Sequence, residues 1–481
     1  MISEYNYSSS PRNNSLFGNI DKVALLSYVA IVLLGLLFIT SASYEPDTDN
    51  IFAFSHNYMK QAMWIGISWV VAIVVLLLDR RIFHMFATPA YIVGIALLVG
   101  ALLFGREVNG AKAWFEFGGI RVQPVEFAKI ATALMMARVM SDYAFNIKRL
   151  VDLIKVGAVI MLPFMIIVLQ NDTGSGLVLG AFIFVFFREG LSKYIYFPAL
   201  FTVFLFVVSL IFDPFVIFMV LLLLFMGYSM LKHGAIIGHV RMLCGILLAT
   251  LLLSAFTPLS GYAALMIVAS IAVVVLLFFV FKTHTLSLLW PIVLFVYAMI
   301  FVPTSDYLFS KLEPHQQNRI HTFVGVVDDP TGVGFNVIQS EIAIGSGGFT
   351  GKGIFEGTQN RYDFVPEKHT DFIFSVVGEE CGMLGATILV MLFVILILRL
   401  MRMGERIKEP FGRVYCYSVA AMLLLHLCVN VGMTIGVMPV MGIPLPLVSY
   451  GGSSLLAFTI LIMIAIRLDA STSDKDDYMG I

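Results

Sequence analysis

The chain has 481 residues, 59% of them apolar and 13% charged, with a mean hydropathy of +0.93. A typical soluble domain carries about 25% charged residues, so this composition excludes a disordered chain and argues against a soluble multidomain enzyme. The formal net charge of −1 leaves no global basic field for nucleic acid.

A helix crossing a ~30 Å hydrocarbon core needs roughly 20 apolar residues. The polar N-terminal tail, 1–22, has no signal-peptide pattern. Apolar runs follow at 23–42, 62–79, 84–104, 127–143, 151–169, 174–188 and 193–212. They continue at 214–232, 240–257, 262–281, 287–304, 372–400, 411–436 and 448–467. The expected fold class is all-α: a polytopic membrane helical bundle of about 14 transmembrane helices. With a cytoplasmic N-terminus, 20 of the 30 Lys and Arg fall in inside segments. The short outside loops hold only Lys60, Arg106, Lys112 and Arg121. That is the positive-inside pattern, and it puts both termini in the cytoplasm. Cys244, Cys381, Cys416 and Cys428 lie in or beside apolar runs without zinc-ligand spacing, and read as buried small hydrophobes.

Along the chain, the outside loop 105–126 carries Trp114, Phe115 and Phe117, which suit a membrane interface. Glu126 and Lys129 open the fourth span at i, i+3, on one helix face. They either fix a helix as a buried pair or line a polar cavity. Asp172, in Gln170-Asn171-Asp172-Thr173-Gly174-Ser175, reads as an Asx turn capping the next helix. Residues 305–370 form a long outside loop rich in Gly and polar residues, a length that points to function. Within it, five glycines from Gly345 to Gly353 surround Lys352, as an anion cradle or a flexible turn. Arg319, Lys352, Arg361 and Lys368, with Arg121 from the other loop, can complement a phosphate-bearing substrate or form a solvated face. Asp371 follows His369 and Thr370 at the start of the twelfth span, as an active carboxylate or a helix N-cap. Glu379 and Glu380 come two turns later, deep for acids. The last outer turn, Gly442 to Ser454, breaks the helix with Pro and Gly, a backbone tolerated at membrane depth only when packed in protein or lining a cavity.

The strings HQQNRI (315–320), DPTGVGFNVIQSEIAIGSGGFTGKGIFEGTQ (329–359), FVPEKHTDFIFSVVGEECGMLG (364–385) and PLPLVSYGGSS (444–454) resemble the SEDS family, for shape, elongation, division and sporulation. IRVQPVEFAKI (120–130) and QNDTGSG (170–176) match its N-terminal half. The wording around 338–359 looks like the elongation members rather than those of cell division. The resemblance implies peptidoglycan glycosyl transfer: polymerisation of lipid II, the undecaprenyl-pyrophosphate-linked disaccharide-peptide, at the outer face of the bacterial inner membrane. Implied partners are a class B penicillin-binding protein transpeptidase and other elongation complex proteins.

The resemblance assigns the essential acid to Asp371, as general base on the acceptor hydroxyl. It gives Arg121, Glu126 and Lys129 weight near a central cavity. Arg319, Lys352, His369 and Thr370 complete the expected substrate-binding set. No cofactor is implied with certainty; a divalent cation could bridge the substrate pyrophosphate, although no dedicated ligand cluster is visible. The family has ten spans, so about four are additional here. The expected division is a core at 23–190, membrane helices with the insertion at 191–304, the loop at 305–370, a second core part at 371–468 and a tail at 469–481. The family turn QPD reads Gln170-Asn171-Asp172, without its proline. A lipid flippase or other transporter is the competing class, and a scaffold for a cell-wall complex is a third.

Overall fold

The computed structural model describes residues 19–43, 56–108, 110–117, 120–233, 236–256, 261–283, 288–311, 317, 333–362 and 364–479. The chain divides into two compact units, 1–191 with 328–481, and 192–327.

The first unit opens with α1 (Lys22–Ala42), whose start is fixed by Asp21 accepting the Ala24 N–H at 3.0 Å. This is an N-cap, satisfying a donor that the helix itself cannot. Helices α2 (Asn57–Leu77) and α3 (Arg80–Phe104) follow. Between α3 and α4 (Pro124–Met140) the expected loop is an antiparallel meander of β1 (Arg106–Val108), β2 (Ala111–Phe117) and β3 (Ile120–Val122). The all-α class holds, with this small meander added in the loop: β2 reverses into β3, and the register pairs Glu116 with Arg121. Pro124 at the first helical position of α4 needs no N–H there.

α5 (Leu150–Leu169) ends at the Gln170 turn. The span expected at 174–188 is instead two short helices, α6 (Thr173–Leu179) and α7 (Phe182–Arg188), separated at Gly180 and Ala181. Asp172 caps α6 by accepting the Ser175 N–H at 3.1 Å.

The second unit is made of α8 (Lys193–Ile211), α9 (Pro214–His233), α10 (Ile236–Phe256), α11 (Gly261–Thr283) and α12 (Leu289–Ser310). Its core gathers Phe218, Leu222, Leu265, Ile292 and Phe295. Ser305 donates to Ser209 at 2.8 Å, tying α12 to α8.

Back in the first unit, α13 (Val333–Gly347) and the short α14 (Thr358–Arg361) occupy part of the expected loop. The buried side of α13 is small, with Gly334, Ser340, Ala343 and Gly347, while Ile338 and Ile342 face outward. α15 (Ile373–Arg406), α16 (Pro410–Thr434) and α17 (Gly452–Met479) complete the unit. α15 starts after Asp371 and is broken at Gly382, where φ is +62°. α17 runs well past 469, so helix replaces most of the expected C-terminal tail.

Each expected span coincides with a helix or, at 174–188, a pair. Among the described residues, nine helices are long and apolar enough to cross a membrane. The irregular backbone runs from Ile435 to Gly451; its first part is largely exposed, while Ile443, Leu445, Leu447 and Val448 are buried in this unit. A Cβ on Gly35 of α1 would lie 2.7 Å from Leu447 O, and one on Gly174 would lie 2.2 Å from Met441 O. Non-helical chain at membrane depth is sustained by such packing.

Candidate active site

Three consecutive carbonyls fix the segment that leads into α15. His369 O accepts from the Tyr450 N–H at 2.8 Å, and Thr370 O from the Ser449 hydroxyl at 2.6 Å. Asp371 O accepts from Asn430 Nδ2 at 2.8 Å, and the same amide nitrogen reaches Ile443 O at 2.8 Å. The segment is thus clamped between α16 and the irregular 443–450 strand. Asp371 is half-buried, and a Cβ on Gly442 would lie 3.5 Å from its Oδ2. The N-cap position of α15 is Phe372, whose side chain makes no cap hydrogen bond. Neither Thr370 nor Asp371 occupies the N-cap position. Thr370 donates instead to Glu367 Oε2 at 2.9 Å. The His369 ring, half-buried, stands 5.9 Å from the Tyr450 ring.

Beneath this strand lies a buried polar chain. The Lys129 ammonium is 2.9 Å from the Glu126 carboxylate, and both side chains are at most 3% exposed. The ammonium is also 3.3 Å from His426 Nε2 and 4.9 Å from the Phe458 ring centre. His426 Nδ1 lies 3.2 Å from Pro444 O. An ammonium can only donate and a carbonyl can only accept. These contacts therefore set the imidazole as neutral, with its proton on Nδ1. Lys129 reaches the site through His426 and Pro444, not through Asp371.

Arg121 sits on β3 with its guanidinium 56% exposed and 3.7 Å from Glu116, which also pairs with Arg106. Burial raises the Tyr450 phenol above its usual pKa, and the nearby Arg121 charge opposes that rise. Arg121 is thus within electrostatic reach of Tyr450, whose N–H holds the carbonyl of His369. Gln123, just before α4, donates to Asp172 Oδ2 at 2.9 Å, joining two further motif segments.

The glycine run around Lys352 departs from the open anion cradle. Lys352 Nζ is 2.7 Å from Glu379 Oε1 and donates to Thr358 at 2.8 Å. The loop backbone lies on α15: Lys352 and Gly353 donate N–H groups to Glu379 O and Glu380 O at 3.1 and 3.0 Å. A Cβ on Gly351 would meet Glu380 O at 2.1 Å. Glycine here permits backbone contact and a φ of +81°. Ser41 of α1 donates to Glu380. Arg319 and the Arg361 side chain lie outside the described residues. Among the described residues no cluster of three or more His, Cys, Asp or Glu could hold a metal ion, so no residue is assigned to a divalent cation.

Ser449 belongs to the last outer turn that the sequence marks, whereas Asn430 and His426 were not singled out. The signal was available: they are polar, four residues apart, on one face of an apolar span.

The family model for FtsW/RodA/SpoVE cell cycle proteins matches residues 22–230 and 212–474. The chain belongs to this family. It is 32% identical over 456 residues to the peptidoglycan glycosyltransferase RodA of Treponema pallidum (strain Nichols), covering 94% of this chain and 97% of that protein. It is 30% identical over 438 residues to the peptidoglycan glycosyltransferase MrdB of Escherichia coli (strain K12), covering 91% of each. A probable peptidoglycan glycosyltransferase FtsW of Trichlorobacter lovleyi is 26% identical, over 94% of this chain and 93% of that protein. A solved chain from a study of how a peptidoglycan synthase complex coordinates polymerization and crosslinking is 25% identical, with a TM-score of 0.60, over 94% of this chain and 98% of that one. The crystal structure of Thermus thermophilus RodA, at 21% identity and a TM-score of 0.53, covers 95% and 98% and has the same fold. FtsW/RodA/SpoVE membership and the apolar helices together make this a multi-pass membrane protein.

Proposed function

We propose that this chain is a peptidoglycan glycosyltransferase that polymerises lipid II during cell-wall elongation, with Asp371 as general base. The supporting observation is the clamp on residues 369–371. It presents a half-buried carboxylate beside Gly442 on a segment outside the helix, with its backbone held by Asn430, Ser449 and Tyr450.

Joining two lipid II units forms a bond from the acceptor GlcNAc O4 to C1 of the donor MurNAc. The bond from C1 to the pyrophosphate oxygen breaks, and undecaprenyl pyrophosphate leaves. Asp371 takes the hydroxyl proton as the new bond forms, a role worth about 10²–10⁴-fold in rate. Arg121 answers charge developing on the leaving pyrophosphate from across Tyr450. His369 and Thr370 lie beside the acceptor. Glu126, Lys129 and His426 set the strand that carries the clamp and take no proton from substrate. Lys352 is engaged by Glu379 and holds the glycine loop, while Arg319 is a further candidate for the pyrophosphate. The chain crosses the inner membrane about 14 times with both termini cytoplasmic, and works beside a class B transpeptidase and the elongation proteins.

The test is polymerisation of labelled lipid II by the purified protein, alone and with its transpeptidase. Long glycan product is expected from the wild type, with a loss of at least about 10²-fold in Asp371→Asn. Product near the wild-type level in that variant would remove Asp371 from the base role. Lipid II translocation in proteoliposomes without any glycan product would replace the enzyme by a transporter.

A further inference from the structure

At the end of α15 remote from Asp371, the first turns of α3, the 407–412 turn and Leu468 and Ser471 of α17 line a cleft of about 300 Å³. We infer that this cleft binds the phosphate of an anionic phospholipid headgroup in the leaflet opposite the candidate active site.

The wall of the cleft is cationic. Arg80, Arg81 and His84 contribute from α3 and Glu409 from the facing turn. Arg80 is 3.1 Å from Glu409, so one acid answers one guanidinium. Arg81 is exposed, and among the described residues its guanidinium has no hydrogen-bond or ion-pair partner. An unpaired guanidinium is therefore left at the rim. Its main chain is already satisfied, since the Arg81 N–H donates to Asp79 Oδ1 at 2.9 Å. The first turns of α3 and α16 both open here, and helix N-termini favour an anion.

The floor is different in kind. Ile407, Phe411 and Leu468 line it and are each at most 5% exposed. A free phosphate gains nothing from such a floor. A phospholipid does, because its glycerol and first methylenes follow the phosphate into apolar surroundings. The position agrees: α3 begins and α15 ends at this level, where headgroups lie. Basic pockets between membrane helices near the cytoplasmic surface recognise anionic headgroups by this combination.

The experiment uses the full chain, purified in detergent, with native mass spectrometry after adding cardiolipin, phosphatidylglycerol or phosphatidylcholine. The wild type should retain cardiolipin or phosphatidylglycerol through detergent exchange and lose phosphatidylcholine. Arg81→Ala should lower the retained fraction about five-fold, the effect of one surface cation on an anionic lipid. Glu409→Gln, which releases Arg80, should raise it. Arg81→Lys keeps the charge and should retain most of the binding, separating charge loss from misfolding. Unchanged retention in Arg81→Ala, or equal retention of phosphatidylcholine, overturns the proposal. A second arm follows phenylglyoxal modification of Arg81. Protection by phosphatidylglycerol vesicles but not by inorganic phosphate is expected; equal protection by phosphate alone would make the occupant a free anion and overturn the lipid.

Discussion

Gly442 carries two demands at once. Its φ is +66°, and a methyl there would stand 3.5 Å from Asp371 Oδ2. Gly442→Ala should therefore cost roughly 1–2 kcal/mol in backbone conformation, and a turn that readjusts to relieve this would alter the surroundings of Asp371. The expected result is a lower melting temperature together with a fall in kcat for glycan polymerisation. A variant that matches the wild type in both would show that the turn does not constrain Asp371. The buried ion pair makes a sharper case. Removing one partner of a buried pair costs about 3–5 kcal/mol, because the other charge is left uncompensated. Glu126→Gln should destabilise on that scale in thermal unfolding in detergent, since Lys129 would keep only a neutral imidazole and a ring face. Combining it with Lys129→Met should recover part of the loss. If the double variant is worse than the single, the pair is needed for more than charge balance.

Elements were legible in the sequence wherever length and apolarity coincide, as in α1, α3, α5 and α15. α13 was not, because it buries Gly334, Ser340, Ala343 and Gly347 and turns Ile338 and Ile342 outward. A helix packed through small residues lacks the apolar stripe that marks an amphipathic one. The meander at 106–122 was missed for another reason: three short strands between helices offer little periodicity. Within the site, Asp371 and its neighbours were legible through their motif. Asn430 and Ser449 act on the backbone of residues distant in sequence, and only the fold brings them there. The glycine run was visible but its role was not. Its φ values suit an open loop, yet Gly351 and Gly382 place two backbones in contact. Gly351→Ala should force the 348–353 backbone off α15 and open it to limited proteolysis. Unaltered cleavage would show that the contact is dispensable.

On the scale of the molecule, α15 joins two ends of different character. At one end is the clamp on residues 369–371. At the other, Arg399 pairs with Asp21 at 2.7 Å, and Arg406 bridges Asp21 and Asp469. Burial pushes the Asp21 carboxyl up, but the Ala24 N–H and the two guanidiniums outweigh it and hold its pKa below the usual value. A carboxylate depressed by folding stabilises above its unfolded pKa of about 3.8 and loses that contribution as pH falls through the folded value. Acid below about pH 4 should therefore loosen this end, and Asp21→Asn should remove that part of the pH dependence of the melting temperature.

The proposed sidedness can be tested at these two ends. From Met383 to Arg406 alone the helix rises about 36 Å, enough for a ~30 Å hydrocarbon core. In the proposed topology Asp371 and Asp21 belong to opposite faces. Arg80, Arg81, Arg399, Arg402 and Arg406 gather at the Asp21 end, which the proposed topology places on the cytoplasmic side. In a variant lacking the native cysteines, Lys112→Cys on the exposed meander should react with an impermeant maleimide in intact spheroplasts. Arg402→Cys, exposed near the other end, should react only after lysis. The opposite pattern would place Asp371 on the cytoplasmic face, out of reach of glycan strands assembled outside the cell, and the glycosyltransferase reading would fall with it.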